Sequence, residues 1–173
     1  MQQTDIAIIG GGIIGLATAL FRLSNSFVAR IIAQVYLEAI RNTPLLIQLF
    51  FIYFVLGPVL GISRMASAIL ALSLFEGAYA SEIFRAGIVS IRRGQWEAAY
   101  SLGLSSFDTY YCVILPQAIR RILPPLANQF IYIVKMSAFA SVIGMQELTR
   151  RANELVVTEY RPLEIYTFLI LEY

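Results

Sequence analysis

The chain is 173 residues long, one domain's worth of sequence, with 58% hydrophobic and 14% charged residues. Soluble domains carry about 25% charged residues, and a mean hydropathy of +0.71 leaves more apolar surface than a chain this size can hide in water. With no histidine, one cysteine (Cys112) and a net charge of +2, the composition speaks against a metal centre, a disulfide framework, hydrolytic catalysis and nucleic-acid binding, and lipid is the expected solvent.

From Ile6 to Phe21 there is no charged residue. As a helix this stretch spans about 24 Å, slightly short of a ~30 Å hydrocarbon core, and flanking residues to Leu23 extend it. It lacks the basic start and cleavage site of a signal peptide. Ser24 to Thr43 mixes apolar positions with Arg30, Glu38 and Arg41, the pattern of an amphipathic helix at a membrane surface. Residues 44–60 are uncharged and aromatic, a second span, and residues 65–88 are a third that contains Glu76 and Glu82.

A polar stretch, residues 90–121, has room for two short helices. Residues 122–143 form a fourth span with Lys135 inside, residues 146–161 are polar, and residues 163–173 begin a fifth apolar helix of about 17 Å that is too short to cross. With alternating spans, the arginines at 22, 30, 41, 85, 92, 93, 120 and 121 share one side and those at 64, 150, 151 and 161 the other. Eight against four makes the side of the 90–121 loop cytosolic.

The loop itself reads as helix, corner, helix. Glu97-Ala98-Ala99-Tyr100-Ser101-Leu102 favours helix, Gly103 supplies a stop that tolerates positive φ, and Ser105 or Ser106 can cap the next helix, with Asp108 three residues after Ser105 in a capping-box pattern. Leu115-Pro116 then starts a membrane helix. Such an elbow is suited to transmitting force.

Glu97-Ala98-Ala99, three residues, Gly103, nine residues and Val113-Ile114-Leu115-Pro116 resemble the cytosolic signature of ABC importer permeases, with Val113 where isoleucine is usual. The stretch from Tyr36 through Glu38, Arg41, Pro44 and Gln48 to Phe50 is similar to the second-helix signature of the polar-amino-acid uptake permeases, with Asn42 in place of glycine. Gly77-Ala78-Tyr79-Ala80-Ser81-Glu82-Ile83-Phe84-Arg85-Ala86-Gly87, Glu147-Leu148-Thr149-Arg150 and Leu163-Glu164-Ile165-Tyr166 resemble further segments of that family. The resemblance runs from about Ile6 to the end.

It implies an all-α, polytopic membrane bundle, a five-helix permease core with the last helix truncated, in a single domain. It also implies passage of a polar amino acid across a bacterial inner membrane. The partners implied are an ABC ATPase, a second permease subunit (identical or not), an extracytoplasmic amino-acid-binding protein and the bilayer. Glu97, Ala98, Ala99, Gly103, Leu115 and Pro116 would form the coupling element that docks on the ATPase. The chain has no G-x-x-x-x-G-K-[ST] phosphate loop, so ATP is expected on that other subunit, and neither a catalytic residue nor a cofactor or metal is expected here.

Two other readings compete. Gly10, Gly12 and Gly15 follow an apolar run at G-x-G-x-x-G spacing, which resembles the amino-terminal end of FAD-dependent oxidoreductases. Against it, no downstream strands are legible, and small residues also serve close helix packing in membranes. A secondary transporter would leave the elbow unexplained.

Four polar residues within the spans are candidates for the substrate path. Glu76 lies about 9 Å along the helix from Glu82 and has no basic neighbour, whereas Glu82 has Arg85 at i+3 for an ion pair. Lys135 serves either helix packing or the path, and Met136 after it argues against a grip on a cationic side chain. Gln48 and Asn128 could line the path or hydrogen-bond between helices.

Overall fold

The computed structural model describes residues 2–145 and 148–172, with side chains from Thr4 onward. Gln146, Glu147 and Tyr173, which fall in the polar segment, in the Glu147–Arg150 motif and at the end of the fifth apolar helix, lie outside the described residues. Among the described residues there is no strand. The helices are α1 (Gln2–Leu23), α2 (Phe27–Arg41), α3 (Leu45–Leu60), α4 (Arg64–Val89), α5 (Arg93–Ser101), α6 (Ser106–Ile143), α7 (Leu148–Glu159) and α8 (Pro162–Glu172).

Residues 4–23, α4 and α6 are each long and apolar enough to cross a membrane; α2 and α3 pass that test only as a pair, bent by 103°. The bend has a local cause. Pro44 cannot continue α2, and Gln48 turns its side chain back so that Nε2 donates to the carbonyls of Ile40 (2.7 Å) and Thr43 (2.8 Å). Asn42 caps α2 at φ −87°, an ordinary right-handed conformation that asks for no glycine at this corner.

The most extensive helix pair is α1 on α4, and α1 shows how a helix that is apolar all round is still sorted. Ala7, Gly11, Gly15 and Ala19 recur every four residues and are buried, while Ile6, Ile9, Ile13, Leu16 and Leu20 point outward. The sorting is by size rather than by polarity, as expected where lipid is the solvent and close backbone approach drives packing. A Cβ on Gly11 would stand 2.6 Å from Glu76 Cβ, and one on Gly15 would stand 2.8 Å from Ala80 Cβ.

This corrects the dinucleotide reading. Gly10, Gly12 and Gly15 lie inside one continuous helix, which also contains the apolar run of residues 6–9. Gly10 and Gly15 fit against Ser73 and Ala80, and Gly12 faces open space. The spacing comes from helix contact, not from a phosphate-binding turn.

α4 is the central post, and three apolar clusters are stacked along it. One joins Leu49, Ala71 and Ile143 at the end away from the 90–121 loop, a second joins Ala7, Phe75 and Ile133 midway, and the third joins Ile91, Ile114 and Ile122 at the loop end. At the far end Arg64 donates to the carbonyl of Gly144 (3.0 Å), fastening the start of α4 to the close of α6.

The helical boundaries differ from the expected spans mainly at α6. Helix begins at Ser106 rather than near residue 122, giving 38 continuous residues. Pro116 does not break it, because the preceding turn is widened: the Leu115 N–H reaches back five residues to the Tyr110 carbonyl. α3 repeats the device, with Gly57 N–H reaching Ile52 just before Pro58. The wide turn makes room for a ring that would collide with a carbonyl one α-turn back. α7 and α8 pack on each other, with Tyr166 Oη donating to Asn153 Oδ1 (3.1 Å).

Candidate functional site

The segment from Ile91 to Pro116 folds into the elbow expected of it. α5 ends in a Schellman closure: Gly103 N–H meets the Tyr100 carbonyl (3.0 Å) and Leu104 N–H the Ala99 carbonyl (3.1 Å). Gly103 sits at φ +78°, the left-handed region that favours glycine. Ser105 then caps α6, accepting from the Asp108 N–H at 3.1 Å while its hydroxyl donates to Asp108 Oδ2 at 2.6 Å.

The elbow is fastened to the bundle on several sides. Gln117 Nε2 donates to Gln95 Oε1 (3.0 Å), Arg121 Nη1 donates to Ser90 Oγ (3.0 Å), and Trp96 lies against Tyr110 with ring centroids 6.3 Å apart. Beneath it, Ile91, Ile114, Ala118 and Ile122 form a buried cluster. These contacts tie α5 to both α4 and α6.

The six residues expected to form the coupling element divide by face. Glu97, Ala98, Gly103 and Pro116 are exposed, and Glu97 pairs with Arg93 at 3.1 Å. Ala99, at 3% exposure, faces the chain's own core, and Leu115 is half-buried. Ala99 therefore packs α5 onto the bundle, with its side chain turned away from the surface that carries Glu97 and Ala98.

The outer surface carries residues that sequence reasoning passed over. Leu102 is 81% exposed and Phe107 75%, and Phe107 stacks on Tyr111 with centroids 5.9 Å apart. The signal for the pair was available: two aromatics at i and i+4 just after the helix cap at Ser105. Exposed apolar side chains beside a fixed elbow suit contact with another protein.

The four polar residues assigned to the substrate path do not come together. Gln48 is buried, with Nε2 committed to the α2–α3 joint and Oε1 left without a hydrogen-bond partner. Glu76, 4% exposed, accepts from Gln129 Nε2 at 2.9 Å under Gly11. Asn128 and Lys135 are exposed on α6, seven residues apart and so on one face. Gln129 was missed; its position one residue after Asn128 turns it toward α4.

At the loop end of the bundle, Glu82 is the hub of an ion cluster. Arg22 from the end of α1 and Arg41 from the end of α2 (3.2 Å) both donate to Oε1, and Arg85 donates to Oε2 at 2.9 Å. The expected Glu82–Arg85 pair is present, and two further helices share the same carboxylate.

The chain is similar to known proteins over most of its length. The L-cystine transport system permease protein TcyB of Bacillus subtilis is 47% identical over 154 residues, 88% of this chain and 65% of that protein. The glutamine transport system permease protein GlnP of Escherichia coli K12 is 39% identical over 171 residues, 97% of this chain and 78% of that one. This chain thus spans about two thirds to four fifths of these relatives' lengths. A crystal structure described as an amino acid ABC transporter with histidines matches with a TM-score of 0.91 at 40% identity, covering 99% of this chain and 81% of that one. Residues 11–171 match the family described as binding-protein-dependent transport system inner membrane components. The chain belongs to that family of transport permeases, whose members are not enzymes.

Proposed function

We propose that this chain is the permease subunit of an ATP-driven importer that passes a polar amino acid across a bacterial inner membrane. A separate ATPase docks on the elbow, a second permease subunit completes the path, and an extracytoplasmic binding protein delivers the substrate. The reading is carried by the elbow: a positive-φ glycine closing a short helix whose outward face is Glu97, Ala98 and Leu102, locked to two spans. Relatives named for cystine and glutamine transport support the cargo class.

Asn128 and Lys135, exposed on one face of α6, line the path in this reading. Met136 leaves Lys135 without an acidic sequence neighbour, which favours a cargo without a cationic side chain. Glu76 and Gln48 support the helices around the path.

The test is reconstituted, binding-protein-dependent uptake with substrate-stimulated ATP hydrolysis and ATPase co-purification. Gly103→Val strains a left-handed position by about 1–3 kcal/mol, and Glu97→Ala alters the docking face. Both variants are expected to insert normally and to lose stimulation. Parental uptake and stimulation in both would refute the coupling assignment.

A further inference from the structure

Where α1, α2 and α4 meet at the loop end, the structure holds a cavity of about 460 Å³ lined by Arg22, Gln34, Glu38, Arg41, Tyr79 and Glu82. That volume lies within the ~300–1,000 Å³ usual for small-molecule sites. It lies apart from the docking face of the elbow and from the Asn128–Lys135 face of α6, and neither role accounts for its chemistry.

Arg22 and Arg41 come from different helices, yet both place Nη1 on one oxygen, Glu82 Oε1. Each guanidinium has five N–H donors, and the hydrogen bonds they make among the described residues use Nη1 alone. Two converging forks therefore keep donors for a further carboxylate-like group. Glu82 is already shared with Arg85, so the cluster of three arginines and one glutamate has a positive surplus. Arg41 also lies over the Tyr79 ring, 5.7 Å from its centroid, which holds it in place.

The opposite charge is present in the same cavity. Glu38 has Gln34 Nε2 as its hydrogen-bond partner (2.9 Å), a neutral group, and makes no ion pair among the described residues, although Arg22 and Arg41 line the same cavity. A phosphate would meet this carboxylate as a like charge. A zwitterion would match both halves.

We propose that this cavity is a binding station for the transported amino acid at the loop end of the permease. Arg22 and Arg41 take the α-carboxylate, Glu38 takes the α-ammonium, and the substrate side chain lies toward Tyr79. The inference rests on the importer reading and adds to it a site that recognises the amino-acid backbone, on the side where cargo leaves.

The experiment uses the permease–ATPase complex without binding protein and measures equilibrium binding of radiolabelled L-glutamine. Saturable binding is expected, about tenfold weaker in Glu38→Gln. The deaminated analogue glutaramic acid, which keeps the carboxylate and lacks the ammonium, is expected to bind parent and variant equally. Equal glutamine affinity in parent and Glu38→Gln overturns the station, as does equal displacement of glutamine from both by phosphatidylglycerol vesicles, which would make it a general anion site. ATP-driven uptake is measured in parallel on the full importer. Normal parental uptake without Glu38-sensitive binding refutes the station alone, whereas absent uptake refutes the importer reading and the station with it.

Discussion

Gln129 of α6 donates its side-chain N–H to the carboxylate of Glu76 on α4 at 2.9 Å, and Gly11 of α1 closes over the same glutamate. Three helices meet at one polar contact inside an apolar bundle. Leaving a buried acceptor without its donor costs about 1–3 kcal/mol. Gln129→Leu is therefore expected to lower the melting temperature of the purified protein in detergent. Glu76→Gln, which keeps an amide-to-amide contact, is expected to be close to the parent. Unchanged melting for Gln129→Leu would mean that the contact does not hold the helices.

The glycines of α1 are expected to separate by face. A valine at Gly11 or Gly15 collides with α4 and should abolish stable assembly, because neighbours stand at 2.6 and 2.8 Å from a built Cβ. Gly12→Ala meets nothing within 4 Å and should be neutral, or stabilising by up to about 1 kcal/mol through helix propensity. Size-exclusion profiles and melting curves of the three variants decide it.

Leu102 and Phe107 project from the elbow with little support from their own chain. Leu102→Asp and Phe107→Ala should leave the stability of the isolated permease within about 0.5 kcal/mol of the parent. Co-purification of the ATPase should fall, by about tenfold or more if these side chains sit at the centre of the contact. Full ATPase recovery with both variants would move the docking surface elsewhere.

Orientation is testable through the exposed end of the elbow. In a Cys112→Ser background, Ser106→Cys is expected to resist an impermeant thiol reagent in intact cells and to react in inverted vesicles. Labelling in intact cells would reverse the assignment of sides drawn from arginine counts.

Lys135 and Gln48 are expected to give different kinds of defect. Lys135 is exposed on α6, so Lys135→Ala should change the KM for uptake with little effect on folding. Gln48 ties off the α2–α3 bend with two hydrogen bonds, so Gln48→Ala should lower stability by about 1–3 kcal/mol and reduce the amount of folded protein. A KM change confined to Gln48→Ala would exchange the two roles.

How far the sequence carries differs by segment. The elbow was legible almost to the atom, because Gly103, Ser105 and Asp108 act through local rules of helix closure and capping. The amphipathic stretch before Pro44 and the cores of the spans were legible for the same reason. Less was visible where a residue's role depends on a distant helix. Nothing near Gly11 in sequence announces Glu76, and nothing near Arg22 announces Arg41 or Glu82; these partners meet only after the helices pack. Ala99 shows the limit within the motif itself, since Ala98 and Ala99 are equivalent in composition and about one hundred degrees of helix rotation separates surface from core. The glycine run misled in one direction for a physical reason: close backbone approach uses the same residue in a phosphate turn and in a helix seam.

The two widened turns before Pro58 and Pro116 have a genetic consequence. A turn that spans five residues instead of four holds one residue more than regular helix, so it is a place where a codon can be gained without rotating the remainder of the helix. Deleting one residue from the turn before Pro116 should close it to regular pitch and drive the ring into the carbonyl behind it, whereas the same deletion combined with Pro116→Ala should restore a straight helix with its outward face unchanged. Length variation in the long helices of this family should therefore occur at the turn before Pro58, together with gain or loss of that proline, whereas the turn before Pro116 lies within the spaced 97–116 signature and should keep its length.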